Sequence, residues 1–343
     1  MLSFYRIKKR CYFLFIIIVF IIFVILPKIS QTFAINLLIF LNVLYFLNNI
    51  IKSFLFLYQI KEYNYKDSYE KNVSNLPDNQ LPIYTILLPV RDEKYSILKN
   101  LLISVYNLDY PKEKLDIKFV VDENDIKTIN VGKTLLKEFN FDLIIVPDSK
   151  IKSKPISCNY ALKFIKGKFL TVYDAEDRPE KYQLKKVIEK FNNLDEDYIC
   201  LQASLNFYNK YRNFITYCFS IEYSMWFDYT IRTIEKFGSF FPLGGTSNHF
   251  KSEKLLELGK WDGLNVTEDA ELGIRIARAG YKISYIKSIT EEECPISIYS
   301  WIKQRTRWIK GFMQTFSEYI FCKKPICIKS NIDFKPISEM IFF

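Results

Sequence analysis

The whole chain of 343 residues holds one histidine, His249, and none of its seven cysteines forms a CxxC pair. Those two shortages argue against a zinc site. The cysteines, at positions 11, 158, 200, 218, 294, 322 and 327, are odd in number and scattered. That fits a reducing cytosol better than a disulfide framework. No zinc-finger, RNA-recognition or basic-helix pattern accompanies the net charge of +10. The surplus of Lys and Arg therefore points to an anionic membrane surface and away from nucleic acid. Internal repeats and low-complexity tracts are absent as well. What the chain does have is apolar and aromatic side chains, 49% and 17% of its residues, enough to expect membrane contact. Its length suits one large domain or two small ones.

Charge is also missing from two long N-terminal stretches. Residues 11–27 are nearly all Ile, Phe, Val and Leu, and a second uncharged stretch runs from Ile29 to Ile51. Each approaches the roughly 17–25 residues that cross a bilayer. The expectation is a membrane region over residues 1–60 with two transmembrane helices, about 11–27 and 33–55. A cleaved signal peptide competes for the first, but no small-x-small cleavage site follows it. Arg6, Lys8, Lys9 and Arg10 put the N-terminus in the cytoplasm, and two crossings return the chain there at Lys52. The expected location is thus the cell inner membrane, multi-pass, with everything after Lys52 in the cytoplasm.

Residues 61–80 are polar and read as a linker before a domain over 81–300. From there, apolar runs alternate with helical periodicity. Strands are expected at Ile83–Val90, Ile117–Val121, Phe141–Val146 and Phe169–Tyr173. Helices are expected over Glu93–Asn107, Ile126–Phe139 and Ile156–Ile165. That alternation predicts βαβ units and a mostly parallel sheet flanked by helices.

One stretch organises the rest. After Tyr173 come Asp174, Glu176 and Asp177, then Pro179 and a helical pattern through Phe191. The acids sit where a strand ends, and in an open α/β sheet ligands bind beyond the strand ends. Crowded carboxylates gain from a divalent cation, and oxygen ligands suit Mg²⁺ or Mn²⁺. A solvated acidic turn that caps the next helix gives the same pattern. Asp122 ends another strand.

Further on, residues 206–241 are crowded with aromatics, readable as helical core, as a helix at the membrane interface or as the wall of a sugar-binding groove. Leu243-Gly244-Gly245-Thr246-Ser247-Asn248-His249-Phe250 pairs glycines with small hydroxyl residues, which suits either close approach to a ligand or a plain turn. His249 alone fits a structural role better than a catalytic one. Thr267 can cap a helix running to Ala279 that opens with Glu268 and Asp269. Finally, Trp301, Trp308, Phe312 and Phe316 share one helical face, with Lys and Arg over much of the rest. That suits an interfacial helix over the 301–343 segment, or an amphipathic core helix.

Taken together, YDAEDRPE, LGGTSNHF, NVTEDAELG and QRTRWIKG, in this order behind an apolar N-terminus, resemble the family-2 glycosyltransferases with the GT-A fold. The resemblance is to the membrane-embedded branch that includes cellulose synthase, hyaluronan synthase and exopolysaccharide synthases, and it covers roughly residues 80–320. It implies a nucleotide-sugar-binding α/β domain. It assigns Asp92 to the first nucleotide-contacting loop and Asp122 to the uridine. Lys154 and Asn159 fall near the donor. Asp174 and Glu176 stand in the DxD position, with Asp177 as the other candidate second metal ligand. Asp269 matches the general base, with Glu268 beside it. Gln304, Arg305, Arg307 and Trp308 match the QxxRW motif, which holds pyrophosphate and stacks on the acceptor sugar.

The implied reaction is inverting transfer from a nucleotide diphosphate sugar, with Mg²⁺ or Mn²⁺, to a growing β-linked polysaccharide. Transfer of one sugar to a lipid or lipid-linked acceptor is the alternative, and an inactive membrane scaffold that keeps the fold is the alternative of another class. Membrane lipid is an expected partner and nucleic acid is not. Family members carry further membrane helices after QxxRW. Residues 321–343 hold Lys323, Lys324, Pro325 and Asp333 and do not read as a span, so the expectation is either a truncated reading frame or a separate membrane or export subunit as a further partner.

Overall fold

The structure is a computed structural model that describes residues 13–62 and 76–321. The basic N-terminal cluster, most of the 61–80 linker and the tail beyond residue 321 lie outside the described residues.

Eight strands form one mixed sheet. They are β1 (Tyr84–Val90), β2 (Leu115–Asp122), β3 (Asp142–Val146), β4 (Phe169–Val172), β5 (Arg178–Pro179), β6 (Tyr198–Phe207), β7 (Asn248–Lys251) and β8 (Lys282–Glu292). Their order is β3-β2-β1-β4-β7-β6-β8-β5. The first four are mutually parallel, with Val90 opposite Val121 and Leu87 opposite Val172. Strand β7 runs antiparallel between β4 and β6, and β8 returns parallel to β6. Strands covered on both faces read as continuous apolar runs. In β1 six of the seven residues are buried, and two apolar clusters fill the two sides of the sheet, one around Leu87, Leu170 and Phe250, the other around Ile86, Phe119 and Phe169.

The helices are α1 (Phe13–Ile29), α2 (Gln31–Glu62), α3 (Tyr95–Tyr106), α4 (Ile126–Leu135), α5 (Lys154–Ala161), α6 (Gln183–Asn192), α7 (Phe214–Ser224), α8 (Ile231–Lys236), α9 (Ser252–Glu257), α10 (Glu268–Arg278) and α11 (Ile298–Phe321). Several expected boundaries move, among them the end of α5, at Ala161 and not Ile165. Helix α5 begins at Lys154 because Pro155 occupies its first turn, where a missing N–H costs nothing. Helix α4 ends at Leu135, short of Phe139. Pro179 does not open a helix. It pairs with Thr290 in the edge strand β5, a position that tolerates proline, and α6 starts at Gln183.

Among the described residues one helix is long and apolar enough to cross a membrane, by length and composition. It is the Gln31–Tyr58 part of α2, with mean hydropathy 1.8 and its most apolar stretch unburied. Helix α1, the other expected span, is a shorter apolar helix. The C-terminal end of α2 docks on the domain. Leu55 is buried and its carbonyl accepts from Thr233 Oγ1, while Phe56 meets Tyr229 and Tyr58 meets Phe237.

The aromatic stretch becomes α7 and α8, joined by a π-helical turn at Met225–Thr230. It is core on one side only. Phe219, Tyr223 and Phe227 are buried, whereas Phe214, Tyr217 and Ile221 face out.

Candidate active site

Parallel β1, β2 and β4 all end on one edge of the sheet. Asp92, Asp122 and Asp174 therefore arrive on one side because the strands run the same way. Asp92 sits at positive φ (50°), pairs with Lys127 at 3.0 Å and is exposed; its N–H donates to Asp125. Asp122 accepts from Ser157 Oγ on α5 at 2.8 Å.

The centre of the site is the turn after β4. Asp177 is 1% exposed. Its Oδ2 accepts from the Asp174 N–H at 2.7 Å and from Thr246 Oγ1. Asp177 is thus the strut of the turn, tying it to the glycine loop, while Asp174 and Glu176 face outward. Lys154, at the start of α5, bridges these parts. Its Nζ pairs with Asp174 at 2.6 Å and donates to the Gly245 carbonyl at 2.8 Å. Burial works against the Lys154 charge, but Asp174, Asp269 and Glu268 outweigh it and hold the ammonium well above its usual range. Gly245 has room for the approach: a Cβ there would meet nothing within 4 Å.

Asp269 and Glu268 come from the first turn of α10. Burial, then the Glu268 charge, pushes Asp269 well above the usual carboxylate range, with Lys154 and a hydrogen bond to Trp261 opposing. Asn159 acts behind them: it brackets Trp261 with two backbone hydrogen bonds, 2.7 and 3.1 Å. Thr267 stands at the N-cap position without a side-chain cap. Helix α11 packs across this N-terminus at Gly311. Its register is set by Asn265 donating to Thr315 at 2.7 Å and Gln314 donating to the Leu264 carbonyl at 2.9 Å. Arg307 lies on the same side and opposes the rise of Glu268, whose carboxyl is pushed up chiefly by burial. Arg305 turns elsewhere, to Glu222 on α7. Trp308 packs on Phe219 and Tyr223.

Two findings lie outside the residues singled out from sequence. Glu292, the last residue of β8, is held well above the usual range by burial and then by the charges of Asp177, Asp174 and Glu176, so it faces the same cluster. The run Glu291-Glu292-Glu293 carries no motif; its only signal is a break in an apolar strand. Glu222 is the second. His249, by contrast, is structural: buried on β7, bonded through Nδ1 to the Tyr84 hydroxyl at 2.8 Å, and pushed down to about 3 by burial.

The cluster thus sets six carboxylates (Asp174, Glu176, Asp177, Glu268, Asp269, Glu292) against Lys154. Among the described residues no three acidic, His or Cys side chains converge into a finished metal site. Even so, the donor set is all oxygen, and Asp177 Oδ1 is buried with no hydrogen-bond partner. Such a set fits Mg²⁺ or Mn²⁺.

The family described as glycosyltransferase-like family 2 matches residues 82–311, which contain the strand-end acids, Lys154, Asp269 and Arg307. The chain belongs to that family. Two curated relatives agree. A probable glycosyltransferase of Bacillus subtilis strain 168, YdaM, is 27% identical over 71% of this chain. A probable glycosyltransferase of Sulfolobus acidocaldarius is 26% identical over 89% of it. The chain spans 59% and 64% of the lengths of these two proteins. Among solved structures, the mannosyltransferase PcManGT of Pyrobaculum calidifontis, in complex with GDP-Man and Mn²⁺, superposes with a TM-score of 0.57 at 20% identity. That match covers 80% of this chain and 75% of the mannosyltransferase, and it makes the fold GT-A-like. The family-2 match takes in all four sequence motifs.

Proposed function

We propose that this chain is an inverting glycosyltransferase of the membrane-bound, exopolysaccharide and cellulose-synthase-like branch. It moves a sugar from a nucleotide diphosphate donor, UDP-linked by the resemblance, to a growing β-linked polysaccharide. The observation that carries the reading is the pairing of a half-buried carboxylate at the N-terminus of α10, Asp269, held above the usual carboxylate range, with an acid-rich strand end across Lys154.

The roles follow from the chemistry of the side chains. Asp92 and Asp122 line the nucleotide end. Asp174 and Glu176, with Asp177 behind them, are the residues that would hold Mg²⁺ or Mn²⁺; the cation offsets charge on the leaving diphosphate. Arg307 with Gln304 adds donors on that side, and a guanidinium fork suits phosphate oxygens. Asp269 takes the proton of the acceptor hydroxyl. The hydroxyl oxygen bonds to the anomeric carbon as the bond to the diphosphate breaks, and the nucleoside diphosphate leaves. A single displacement of this kind inverts the centre. The raised proton affinity of Asp269 suits a base, since a carboxylate at its ordinary pKa is a weak one. Trp308 offers a ring to the acceptor sugar.

A second reading, transfer of one sugar to a lipid-linked acceptor, is favoured by the exposed apolar side chains of α7 and α11, among them Ile221, Ile302 and Ile309. The GDP-Man bound by the structural neighbour supports a nucleotide-sugar donor and adds GDP sugars to the panel worth testing. The experiment is a screen of UDP and GDP sugars on purified membranes, scored by released nucleotide, by product length and by the anomeric configuration of the product. Failure of every UDP and GDP sugar in the panel to release nucleotide, or retention of configuration, overturns the reading.

A further inference from the structure

Arg305, Trp301 and Trp308 lie on one face of α11 at i, i+4 and i+7 spacing. The Arg305 guanidinium is boxed by rings, its centre 4.6 Å from Phe219, 4.7 Å from Trp308 and 5.4 Å from Trp301. Its Nη2 closes the box by donating to the Glu222 carboxylate on α7, and its Nε is buried with no hydrogen-bond partner. A cation held over several ring faces gains from each of them, and the planar fork fixes its own orientation. The Trp308 ring that forms one wall also lies against Tyr223, nearly parallel at 29°. Tyr223 reaches the other way. Burial, then the charge of Glu292, raises its hydroxyl, and Arg305 and Glu222 act on it as well. A line of contacts therefore runs from Glu222 through Arg305 to Trp308 and Tyr223.

Arg305 has no other ion pair among the described residues, and nothing turns its fork toward the strand-end acids. Its contacts are those of a clamp between α7 and α11. We infer that Glu222 is a positioning residue which, through Arg305, sets the ring of Trp308 on the acceptor side of the site. The inference rests on the proposed function in one respect, that Trp308 faces the acceptor. An ion pair with one partner, Glu222, largely in solvent contributes little to stability by itself, so the consequence expected is in orientation and not in folding. A misplacement of about 1 Å remote from the chemistry can cost as much as ~10²-fold in rate.

The test uses the full chain in lipid nanodiscs, labelled with 5-fluorotryptophan. The four tryptophans give four fluorine resonances, and Trp308→Phe identifies the line of interest. Glu222→Gln, Arg305→Gln and the double variant are compared with wild type. The inference expects both single variants to shift or broaden the Trp308 line alike, the double to add nothing further, and the Trp261 line to stay in place. In the transfer assay the acceptor KM rises about tenfold in each single and in the double, with donor affinity unchanged; effects that fail to add mark two residues acting as one unit. Glu222→Asp, which keeps the charge, recovers most of the wild-type KM. A Trp308 line unmoved by Glu222→Gln overturns the inference, as do effects that multiply in the double variant. So does a loss of donor affinity in Arg305→Gln alone, which makes Arg305 a phosphate ligand instead. If wild type transfers no sugar, the proposed function fails, while the fluorine lines still decide whether Glu222 governs Trp308.

Discussion

Gly311→Ala tests the seam between α11 and α10 that holds the first turn of the Asp269 helix. A Cβ at position 311 would stand 2.3 Å from Thr267 Oγ1, 2.4 Å from its Cγ2 and 2.8 Å from its Cβ. Ordinary carbon contacts begin near 3.5 Å. Turning the Thr267 side chain only exchanges one branch for the other, and its Cβ cannot turn away at all. The two backbones must separate by roughly 1 Å. Overpacking of this kind costs about 1–3 kcal/mol. The two hydrogen bonds across the seam, Asn265 to Thr315 and Gln314 to Leu264, are strained as well, at about 1 kcal/mol each if broken. Alanine's better helix propensity returns about 1 kcal/mol. The net loss is near 2 kcal/mol, or roughly 4–8 °C in Tm for a domain of this size. Turnover should fall by ~10- to 100-fold, because the shift reaches Asp269 directly. Thermal unfolding and nucleotide release are the assays. Thr267→Gly in the Gly311→Ala background removes all three clashing atoms and should recover much of the loss. Wild-type Tm and turnover in Gly311→Ala would refute the close crossing.

Two further outcomes follow from the acid cluster. Asp174→Asn should abolish metal-dependent nucleotide binding, measured by calorimetry with and without Mn²⁺, and full turnover in chelator would sink the metal assignment; Glu176→Gln beside it tests the second ligand. Asp177 is held well above its ordinary range, first by burial and then by Asp174. A raised folded-state pKa means that its neutral form stabilises the fold at low pH. That contribution is lost as pH rises through the folded value. Asp177→Asn keeps the strut and cannot ionise, so in metal-free buffer its Tm advantage over wild type should grow from pH 4 to pH 8; a gap independent of pH would contradict this.

The sheet was legible where periodicity and local chemistry agree. Ile83 to Val90 and Phe169 to Tyr173 are apolar runs that end in acids, and their parallel pairing brings Asp92 and Asp174 to one edge. Pro179 and Asn248 to Lys251 were not legible, because β5 and β7 exist only through partners more than a hundred residues away or on another strand. Strand β7 emerges from what reads locally as a glycine turn. Asp269 stood out because its motif is local. Glu292 and Glu222 did not, since a run of three glutamates and a lone acid among aromatics both read as solvated charge. Only the sheet order sets Glu292 beside Asp177, and only the crossing of α7 and α11 sets Glu222 on Arg305. The α2 helix was readable from hydropathy alone, but its docking on Tyr229 and Phe237 was not, because both partners sit in the aromatic stretch whose buried face the sequence leaves open.

Asp269→Asn tests the central claim most directly. The substitution keeps the shape and the hydrogen bonding but removes the group that takes the acceptor's proton. If Asp269 only complements the α10 dipole, its contribution is roughly 0.3–1 kcal/mol of stability and turnover is nearly untouched. A general base predicts a loss of ~10²–10⁴ in rate, about 3–5 kcal/mol in the barrier, with donor affinity unchanged. Nucleotide release, donor affinity and thermal unfolding are measured together on wild type and variant. A folded variant that binds donor normally and turns over at least a hundredfold more slowly is the predicted result; a folded variant with near-normal turnover contradicts the account.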